Sequence, residues 1–307
     1  TVDRTIIAAC AALMMIGVVL CLAASPPVAA RLNLEAFHFV RRQIMFLIPS
    51  IGIMIFISAL SMRQIRRTAL LVFAVSFVLV AVTPFFGAEI KGARRWLFIA
   101  GMNIQPSEFL KPAFVVLVSW LFAESTRRPE MPTNTIALLL LLIVVLPLMK
   151  QPDFGQTMLI VGVWSVLFFM SGMRMIWVLG LAGIAAVGII GAYFSVSHVK
   201  GRIDRFMNPA SGDTFNIDLA IESFNRGGWM GLGPGEGTVK RVLPESHTDF
   251  IFAVAAEEFG IILCLLLISL FAFIVIRALL HSWTTEDPFI RFASAGLAIL
   301  FGLQSAI

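Results

Sequence analysis

The stretch Leu243-Pro-Glu-Ser-His-Thr-Asp-Phe-Ile-Phe-Ala-Val-Ala-Ala-Glu-Glu-Phe-Gly260 joins a polar loop, which starts with a proline, to a long apolar segment. The apolar run continues to about residue 280 and predicts a helix that crosses a membrane. Thr248 or Asp249 is placed to cap that helix, where the positive end of the helix dipole holds a carboxylate ionised. Asp249 is therefore either an N-cap alone or a positioned carboxylate that can act as a base.

The composition extends this interpretation to the whole chain. Hydrophobic residues make up 59% and charged residues 13% of the 307 residues, and that charged share is about half of what soluble domains have. We therefore predict an all-α, polytopic integral membrane protein, with one single transmembrane domain over residues 1–307. The apolar runs predict nine spans, and these are 5–24, 44–61, 69–86, 107–123, 135–149, 157–171, 175–195, 250–280 and 289–307.

Metal and nucleotide sites of familiar kinds are not indicated. The three cysteines all lie in predicted spans without a CxxC spacing, and the four histidines form no HExxH motif. The glycine-rich stretch Gly227–Gly237 is tempting as a nucleotide loop, but Glu236 stands where GxGxxG counted from Gly231 needs glycine, and no GK[ST] follows. A flexible flap that brings backbone amides close to a ligand is the better interpretation.

A basic and aromatic loop follows the third predicted span, at residues 87–98. Lys91, Arg94 and Arg95 present cations beside Trp96, and guanidinium groups bind phosphate oxygens in a bidentate manner. The alternative is an interfacial anchor, in which tryptophan and arginine reach the lipid headgroups.

Several acidic residues lie at or within the predicted spans. Glu108 and Lys111 fall one helical turn apart, and charges at such depth are functional candidates or simply pair with each other. Asp153 precedes the next span as a second acidic site or, as composition favours, a helix cap. Glu257 and Glu258 lie deep in the eighth span, where buried acids are expected to be paired or protonated.

Residues 196–249 form the one long loop outside the membrane, and loops of that length in compact proteins tend to be functional. Within it, Ile217, Ile221 and Phe224 recur at helical spacing between charged residues. This pattern predicts a short amphipathic helix that lies on the bilayer.

Five motifs stand in order along nearly the whole chain. They are Gly92-Ala-Arg-Arg-Trp96, Gln105-Pro-Ser-Glu-Phe-Leu-Lys111, Gln151-Pro-Asp-Phe-Gly155, Gly231-x-Gly-x-Gly-x-Gly237 and Leu243-Pro-Glu-Ser-His-Thr-Asp-Phe250. Together they resemble the SEDS family of bacterial cell-wall polymerases, and the last motif is highly specific. The amino-acid sequence from Gly227 to Glu258 resembles the septal branch of the family more than the elongation branch.

The resemblance implies a ten-span protein with a cytoplasmic N-terminus and a large extracytoplasmic loop at 196–249. It implies a peptidoglycan glycosyltransferase of the inner membrane that polymerises lipid II at the outer face during septal cell-wall synthesis. The implied partners are lipid II, a class B penicillin-binding protein, other divisome membrane proteins and membrane lipids, with no nucleic acid. The chain has no initial Met and stops in an apolar run at Ile307, so we expect a piece of a longer protein that lacks the tenth span.

The resemblance also assigns roles to residues. The essential aspartate of the family falls on Asp249, which would take a proton from the attacking hydroxyl. The family's substrate-binding positions fall on residues of the basic loop, the intramembrane pair and the last motif. These are Arg94, Arg95, Trp96, Lys111, Glu108, His247 and Glu245.

Two further points stay open from the sequence. No protein metal site is indicated and no cofactor is required, although a divalent cation, Mg²⁺ or Mn²⁺, could share the neutralisation of a departing pyrophosphate. The same intramembrane charges would also suit a lipid II flippase, in which they line a pathway rather than catalyse. A scaffold that only positions the penicillin-binding protein would need no essential base.

Overall fold

The computed structural model describes residues 3–307, apart from 91–92, 100, 129, 152, 173–174, 196–199, 202–203 and 205–214. In this part of the chain, nine helices coincide with the nine predicted spans, and a shorter helix lies in the long loop. They are α1 (Arg4–Arg31), α2 (His38–Ser58), α3 (Met62–Phe86), α4 (Pro106–Arg127), α5 (Thr133–Lys150), α6 (Phe154–Met170), α7 (Met175–Ser195), α8 (Phe215–Gly227), α9 (Ile251–Thr284) and α10 (Pro288–Ala306).

Seven of the described helices are long and apolar enough to cross a membrane: α1 to α5, α9 and α10. Helix α6, with 17 residues, and the apolar part of α7, Leu179–Gly188, are shorter. The predicted all-α polytopic architecture is confirmed. Several helix starts follow from local chemistry: Asp3 accepts a first-turn amide of α1 at 2.9 Å, Asp287 accepts two in α10, and Pro106 opens α4.

The chain divides into two compact units. The first unit contains Thr1–Ser58 and Gly183–Ile274, and the second contains Ala59–Ala182 and Val275–Ile307. Helices α7 and α9 each contribute to both units. The division does not follow the chain order, so it could not be predicted from composition along the sequence.

Helix α4 forms the centre of the second unit, because it packs against α3, α5, α6 and α10. Its side chains Phe114 and Phe122 are fully buried, and Trp164 of α6 stacks on Phe168 with ring centroids 4.8 Å apart. Gly296 lets α10 approach α4, since a Cβ there would lie 2.7 Å from Cγ1 of Val115. The second unit therefore has a dense apolar core around a helix that also carries Glu108 and Lys111.

A small antiparallel sheet in the second unit was not predicted. Strands β1 (Ala88–Ile90), β2 (Ala93–Ile99) and β3 (Met102–Ile104) pair in the order β1-β2-β3. The stretch that we predicted as a loop is thus largely a strand. The charges of β2 hide its alternation: Ala93 and Leu97 are buried, whereas Arg94 and Phe98 are exposed.

The first unit is organised around a break in α9. Gly260 has φ 81° and ψ 179°, so the helix is interrupted there and leaves main-chain groups without intrahelical partners. The glycine-rich stretch satisfies them. Leu232 N donates to the carbonyl of Glu257 at 2.9 Å, and Ile261 N donates to the carbonyl of Gly228 at 2.9 Å.

The glycines of this stretch are required for the close approach. A Cβ on Gly231 would lie 2.2 Å from the carbonyl oxygen of Glu258, and one on Gly260 would lie 2.3 Å from that of Trp229. The prediction of a flap whose amides serve a ligand is therefore wrong for Leu232 and Gly233. Their amides bond α9, because the broken helix needs donors for its carbonyls.

Two further predictions concern helices of the first unit: the amphipathic helix of the long loop and the cap of α9. The amphipathic helix is confirmed as α8, with Ile217 and Ile221 exposed and an ion pair of 2.6 Å between Glu222 and Arg226. The predicted cap of the long helix is wrong in position. Helix α9 begins at Ile251, so Thr248 and Asp249 lie in the preceding turn and neither occupies the N-cap position.

Candidate functional site

Asp249 is exposed in the turn that enters α9. Glu245 organises this turn through its main chain, because its carbonyl accepts from Thr248 N at 3.0 Å and from Phe250 N at 3.3 Å. Glu245 has φ 55°, a left-handed conformation that is uncommon outside glycine and often marks functional turns. The turn thus presents a carboxylate to solvent at the start of a buried helix.

His247 lies beside Asp249 with a different environment. Its ring contacts that of Phe39 with centroids 4.0 Å apart, and its Nδ1 is buried with no hydrogen-bond partner among the described residues. Burial is the largest influence and lowers the pKa of His247, against a raising effect of Glu245. The imidazole is therefore held neutral, with one nitrogen able to accept and one able to donate.

An open groove with a volume of about 520 Å³ reaches this turn within the first unit. His247, Thr248, Arg42 and Gln43 form its polar lining, while side chains of α1, α2 and α9 form an apolar wall. The volume is in the range of ligand pockets, which are about 300–1,000 Å³. The arrangement suits an amphipathic molecule that has an apolar chain and a polar head near the Asp249 turn.

Glu257 and Glu258 were expected to be paired or protonated, and Glu258 is paired with a cation. Both side chains are buried. The Glu257 carboxylate accepts from main-chain amides, and the Glu258 carboxylate pairs with the ammonium of Lys240. Lys240 is a functional candidate that the sequence analysis did not name, because its position in a loop gave no sign that it would be buried.

The basic residues of the second unit do not form one cluster. Successive side chains of a strand point to opposite faces, so Arg94 and Arg95 separate. Arg94 is exposed and lies 3.4 Å from Glu89, whereas Arg95 lies 3.4 Å from Asp153. Trp96 is on the same face of β2 as Arg94, and Lys91 lies outside the described residues.

Asp153 lies at the cap position that composition favours, and its role as a second acidic site stays a prediction. It occupies the N-cap position of α6, yet its carboxylate pairs with Arg95 and lies 3.5 Å from Nε2 of Gln105. Its side chain is only 4% exposed. Burial raises the pKa of Asp153, and the Arg95 guanidinium opposes that rise.

The predicted pair on α4 is present. Lys111 is 1% exposed, and its Nζ lies 2.8 Å from Oε2 of Glu108. Gln304 bridges the pair, since it accepts from Lys111 at 3.0 Å and donates to Glu108 at 3.0 Å, while Gln156 donates to Glu108 at 2.8 Å. The two glutamines were missed, and their only signal was an isolated amide within an apolar span.

The predicted residues thus fall into two groups. Asp249, His247 and Glu245 share one turn of the first unit, whereas the basic loop and the pair of Glu108 and Lys111 belong to the second unit. Among the described residues, no group of three or more His, Cys, Asp or Glu side chains is placed to hold a metal ion.

Comparisons with known proteins agree on one family. A family model described as "Cell cycle protein", for FtsW, RodA and SpoVE, matches residues 3–307. The chain is 44% identical over 308 residues to a "Probable peptidoglycan glycosyltransferase FtsW" of Caulobacter vibrioides, covering 100% of this chain and 79% of the relative. It is 31% identical over 314 residues to the protein of that name from Trichlorobacter lovleyi, covering 99% and 82%.

Solved structures share the fold. A chain of a peptidoglycan synthase complex, from a study of how polymerization and crosslinking are coordinated, superposes with a TM-score of 0.79 at 21% identity, covering 99% of this chain and 85% of that chain. The rod shape determining protein RodA of Thermus thermophilus gives a TM-score of 0.69 at 23% identity, covering 99% and 83%. With its apolar helices, this is a multi-pass membrane protein. The chain belongs to the FtsW/RodA/SpoVE family of cell cycle proteins.

Proposed function

We propose that this protein is a peptidoglycan glycosyltransferase that polymerises lipid II into glycan strands during septal cell-wall synthesis. The observation that carries the proposal is the exposed carboxylate of Asp249 in a turn that adjoins a groove with a polar mouth and an apolar wall. Family membership and the names of the relatives from Caulobacter vibrioides and Trichlorobacter lovleyi support it. The reaction takes place at the outer face of the inner membrane, at the division septum.

The reaction joins the 4-hydroxyl of one saccharide unit to the anomeric carbon of another. Asp249 accepts the hydroxyl proton as the new C–O bond forms, and the anomeric C–O bond to the lipid pyrophosphate breaks. The pyrophosphate leaves with the bonding electron pair. The neutral imidazole of His247 offers its other ring nitrogen, Nε2, to a sugar hydroxyl, because Nδ1 is buried, and this contact orients the acceptor beside Asp249.

Cations of the second unit are suited to bind a phosphate group, because guanidinium and ammonium groups form strong bonds with phosphate oxygens. Arg94 is exposed, and its ion pair with Glu89 is of the weak surface kind that a phosphate can displace. Arg95 and Lys111 are already paired with carboxylates that offset their charges, so a phosphate group has to exchange with Asp153 or Glu108 to bind them. A divalent cation, Mg²⁺ or Mn²⁺, would share the neutralisation of the pyrophosphate.

The lipid part of the substrate is suited to the apolar wall of the groove. A polyprenyl chain is long, flexible and wholly apolar, and the groove beneath His247 and Thr248 offers it about 520 Å³ of space. We include a class B penicillin-binding protein and other divisome membrane proteins as partners. A chain of this fold has been solved within a peptidoglycan synthase complex, which supports such an assembly.

A second candidate function is a lipid II flippase. The pair of buried Lys111 and partly exposed Glu108 favours it, because charged groups within a span often mark a transport pathway. Sealed proteoliposomes with lipid II only in the outer leaflet separate the two functions. A polymerase elongates that lipid without transbilayer movement, whereas a flippase moves labelled lipid II inwards and makes no polymer.

The test of the proposed function is Asp249→Asn in the full-length protein with its penicillin-binding partner. The amide keeps the size and hydrogen-bonding ability of the side chain but cannot take a proton, so polymer formation from lipid II should fall by about 10²–10⁴-fold. Asp218→Asn, an exposed aspartate of α8, is the matched control and should be active. Near wild-type synthesis by Asp249→Asn would remove Asp249 from the role of base.

A further inference from the structure

A short 3-10 helix, Val239–Arg241, lies between the glycine-rich stretch and the turn that carries Asp249. Three consecutive main-chain amides at its start donate to the carboxylate of Glu257. Oε1 accepts from Thr238 N at 2.7 Å and from Val239 N at 2.8 Å, and Oε2 accepts from Lys240 N at 3.1 Å. Glu257 is fully buried, so each of these charge-assisted bonds is shielded from water.

The neighbouring carboxylate makes a second connection to the same helix. Glu258 pairs with the ammonium of Lys240, which also donates to the carbonyl of Ala23 in α1 at 3.1 Å. Gly237 leaves room for the Glu257 carboxylate, because a Cβ there would lie 2.8 Å from Oε2 of Glu257. Two adjacent acids of α9 thereby hold one short segment through its main chain and through its lysine.

The segment is continuous with the catalytic turn. The carbonyl of Lys240 accepts a hydrogen bond from Oγ of Ser246 at 3.3 Å, and Ser246 precedes Asp249 by three residues. Arg31 at the end of α1 donates to the carbonyls of Val242 at 3.1 Å and Leu243 at 3.3 Å. The backbone between the 3-10 helix and Asp249 is therefore held at successive points, and the bonds of Glu257 lie at the beginning of that chain of contacts.

We propose that Glu257 is a positioning residue for Asp249: by binding the amides of Thr238, Val239 and Lys240, it sets the place of the turn that presents the base. The inference rests on the proposed function of Asp249. Productive geometry must be kept within about 0.5 Å in catalytic sites, and a displaced base loses rate before it loses substrate affinity. Glu257 acts through the main chain and needs no contact with the substrate.

Glu257→Gln is the informative variant because it keeps the shape of the side chain. The amide oxygen can still accept from Thr238 N and Val239 N, whereas the NH₂ group faces Lys240 N, a donor, and loses that bond. The charge that strengthens the remaining bonds is also lost. The substitution should loosen the 3-10 helix and the turn without removing the side chain that fills this site.

The experiment compares the full-length protein and its Glu257→Gln, Glu222→Gln and Asp249→Asn variants, each with the penicillin-binding partner. Glu222 is the matched control, a partly exposed glutamate of the same unit that pairs with Arg226. Hydrogen exchange measures residues 238–250 against 106–127. Initial rates against lipid II concentration give kcat and KM, and thermal unfolding in detergent shows that each variant is folded.

For Glu257→Gln we expect exchange in 238–250 to accelerate at least tenfold, with 106–127 unchanged. We also expect kcat to fall at least tenfold, with KM for lipid II within twofold of wild type. Glu222→Gln should match wild type in both measurements. A role in folding alone would lower the yield or the unfolding temperature but leave kcat per folded molecule unchanged.

Either of two results overturns the proposal. One is unchanged exchange in 238–250, which would show that Glu257 does not hold the turn, and the other is accelerated exchange with wild-type kcat. Asp249→Asn separates this failure from that of the proposed function. If Asp249→Asn polymerises lipid II normally, the base assignment fails, whatever the exchange of the turn; if it is inactive while a loosened Glu257→Gln keeps its kcat, only the positioning role fails.

Discussion

Both units of the molecule bury a lysine beside glutamate, but they use the charges differently. In the second unit, Lys111 and Glu108 bond each other and the amide side chains of Gln304 and Gln156, and Glu108 is 38% exposed. In the first unit, Glu257 bonds three main-chain amides and Lys240 pairs with a wholly buried Glu258.

The difference shows that a buried charge can serve either to bind a substrate or to position a backbone segment. Bonds between side chains can be exchanged for a substrate with only rotamer changes, as the partial exposure of the Glu108 side chain permits. Bonds from a carboxylate to consecutive amides restrain the backbone itself, and breaking them moves a segment. We therefore expect the second unit's network to govern substrate handling, and that of the first unit to govern stability and the geometry of the turn.

The largest expected effect is that of Lys240→Met. It leaves the Glu258 carboxylate buried and unpaired, which costs about 3–5 kcal/mol. The measurement is thermal unfolding in detergent together with the folded fraction on size exclusion. The double variant Lys240→Met with Glu258→Gln should recover much of the loss, since a neutral pair is cheap to bury. A single variant as stable as wild type would contradict a structural ion pair here.

Gly260→Ala comes next and has a matched control in Gly101→Ala. Both glycines have positive φ, 81° and 80°, but a Cβ on Gly260 would lie 2.3 Å from a main-chain oxygen while that of Gly101 meets nothing within 4 Å. We expect about 3 kcal/mol or more for Gly260→Ala, from strain and from expulsion of the glycine-rich stretch, and about 1 kcal/mol for Gly101→Ala. Equal unfolding temperatures would show that the docking at the helix break contributes no stability.

Lys111→Met sharpens the comparison directly. Glu108 keeps amide donors from Gln304 and Gln156 and some exposure, so we expect a loss of only about 1–2 kcal/mol. Polymerisation should nevertheless fall, because methionine cannot replace the ammonium that the proposed function assigns to substrate binding. Unfolding and lipid II turnover are measured on the same preparation. A loss of stability as large as that of Lys240→Met would remove the distinction between the two networks.

The smallest effects on stability are expected from charge reversal of the two arginines that lie on opposite faces of β2. Arg94→Glu should weaken lipid II use through KM with an unchanged unfolding temperature, since exposed ion pairs contribute about 0–1 kcal/mol. Arg95→Glu places a second carboxylate beside buried Asp153 and should destabilise the protein as well. Arg67→Glu, exposed at the start of α3, is the control for charge reversal. If all three behave alike in a lipid II titration, the loop is a simple anchor.

Much of the architecture could be predicted because its cause is local. Each bilayer-length apolar run became a helix, and the spacing of Glu108 and Lys111 placed them on one face, where they pair. The strands around Trp96 were missed because runs of three to seven residues with charges in them carry a weak pattern. The cap of α9 was misplaced by one or two residues, since the carbonyl of Glu245 organises the turn instead.

The candidate site shows the same division. The motif around Asp249 pointed to the base by residue type and order alone. Nothing local showed that Arg94 and Arg95 face opposite sides of a strand, or that Arg95 pairs with Asp153 from a distant part of the chain. Such pairings depend on which elements become neighbours.

The sequence by itself determined that the protein is a helical membrane protein of this family, and which acid is the candidate base, because apolar length and motif order depend on neighbouring residues alone. Only the tertiary structure decided that the glycine-rich stretch docks at a break in α9 and that Glu257 binds the amides of Thr238, Val239 and Lys240. The physical reason is that a broken helix and a buried carboxylate must find hydrogen-bond partners, and those partners come from whichever backbone the fold brings within about 3 Å.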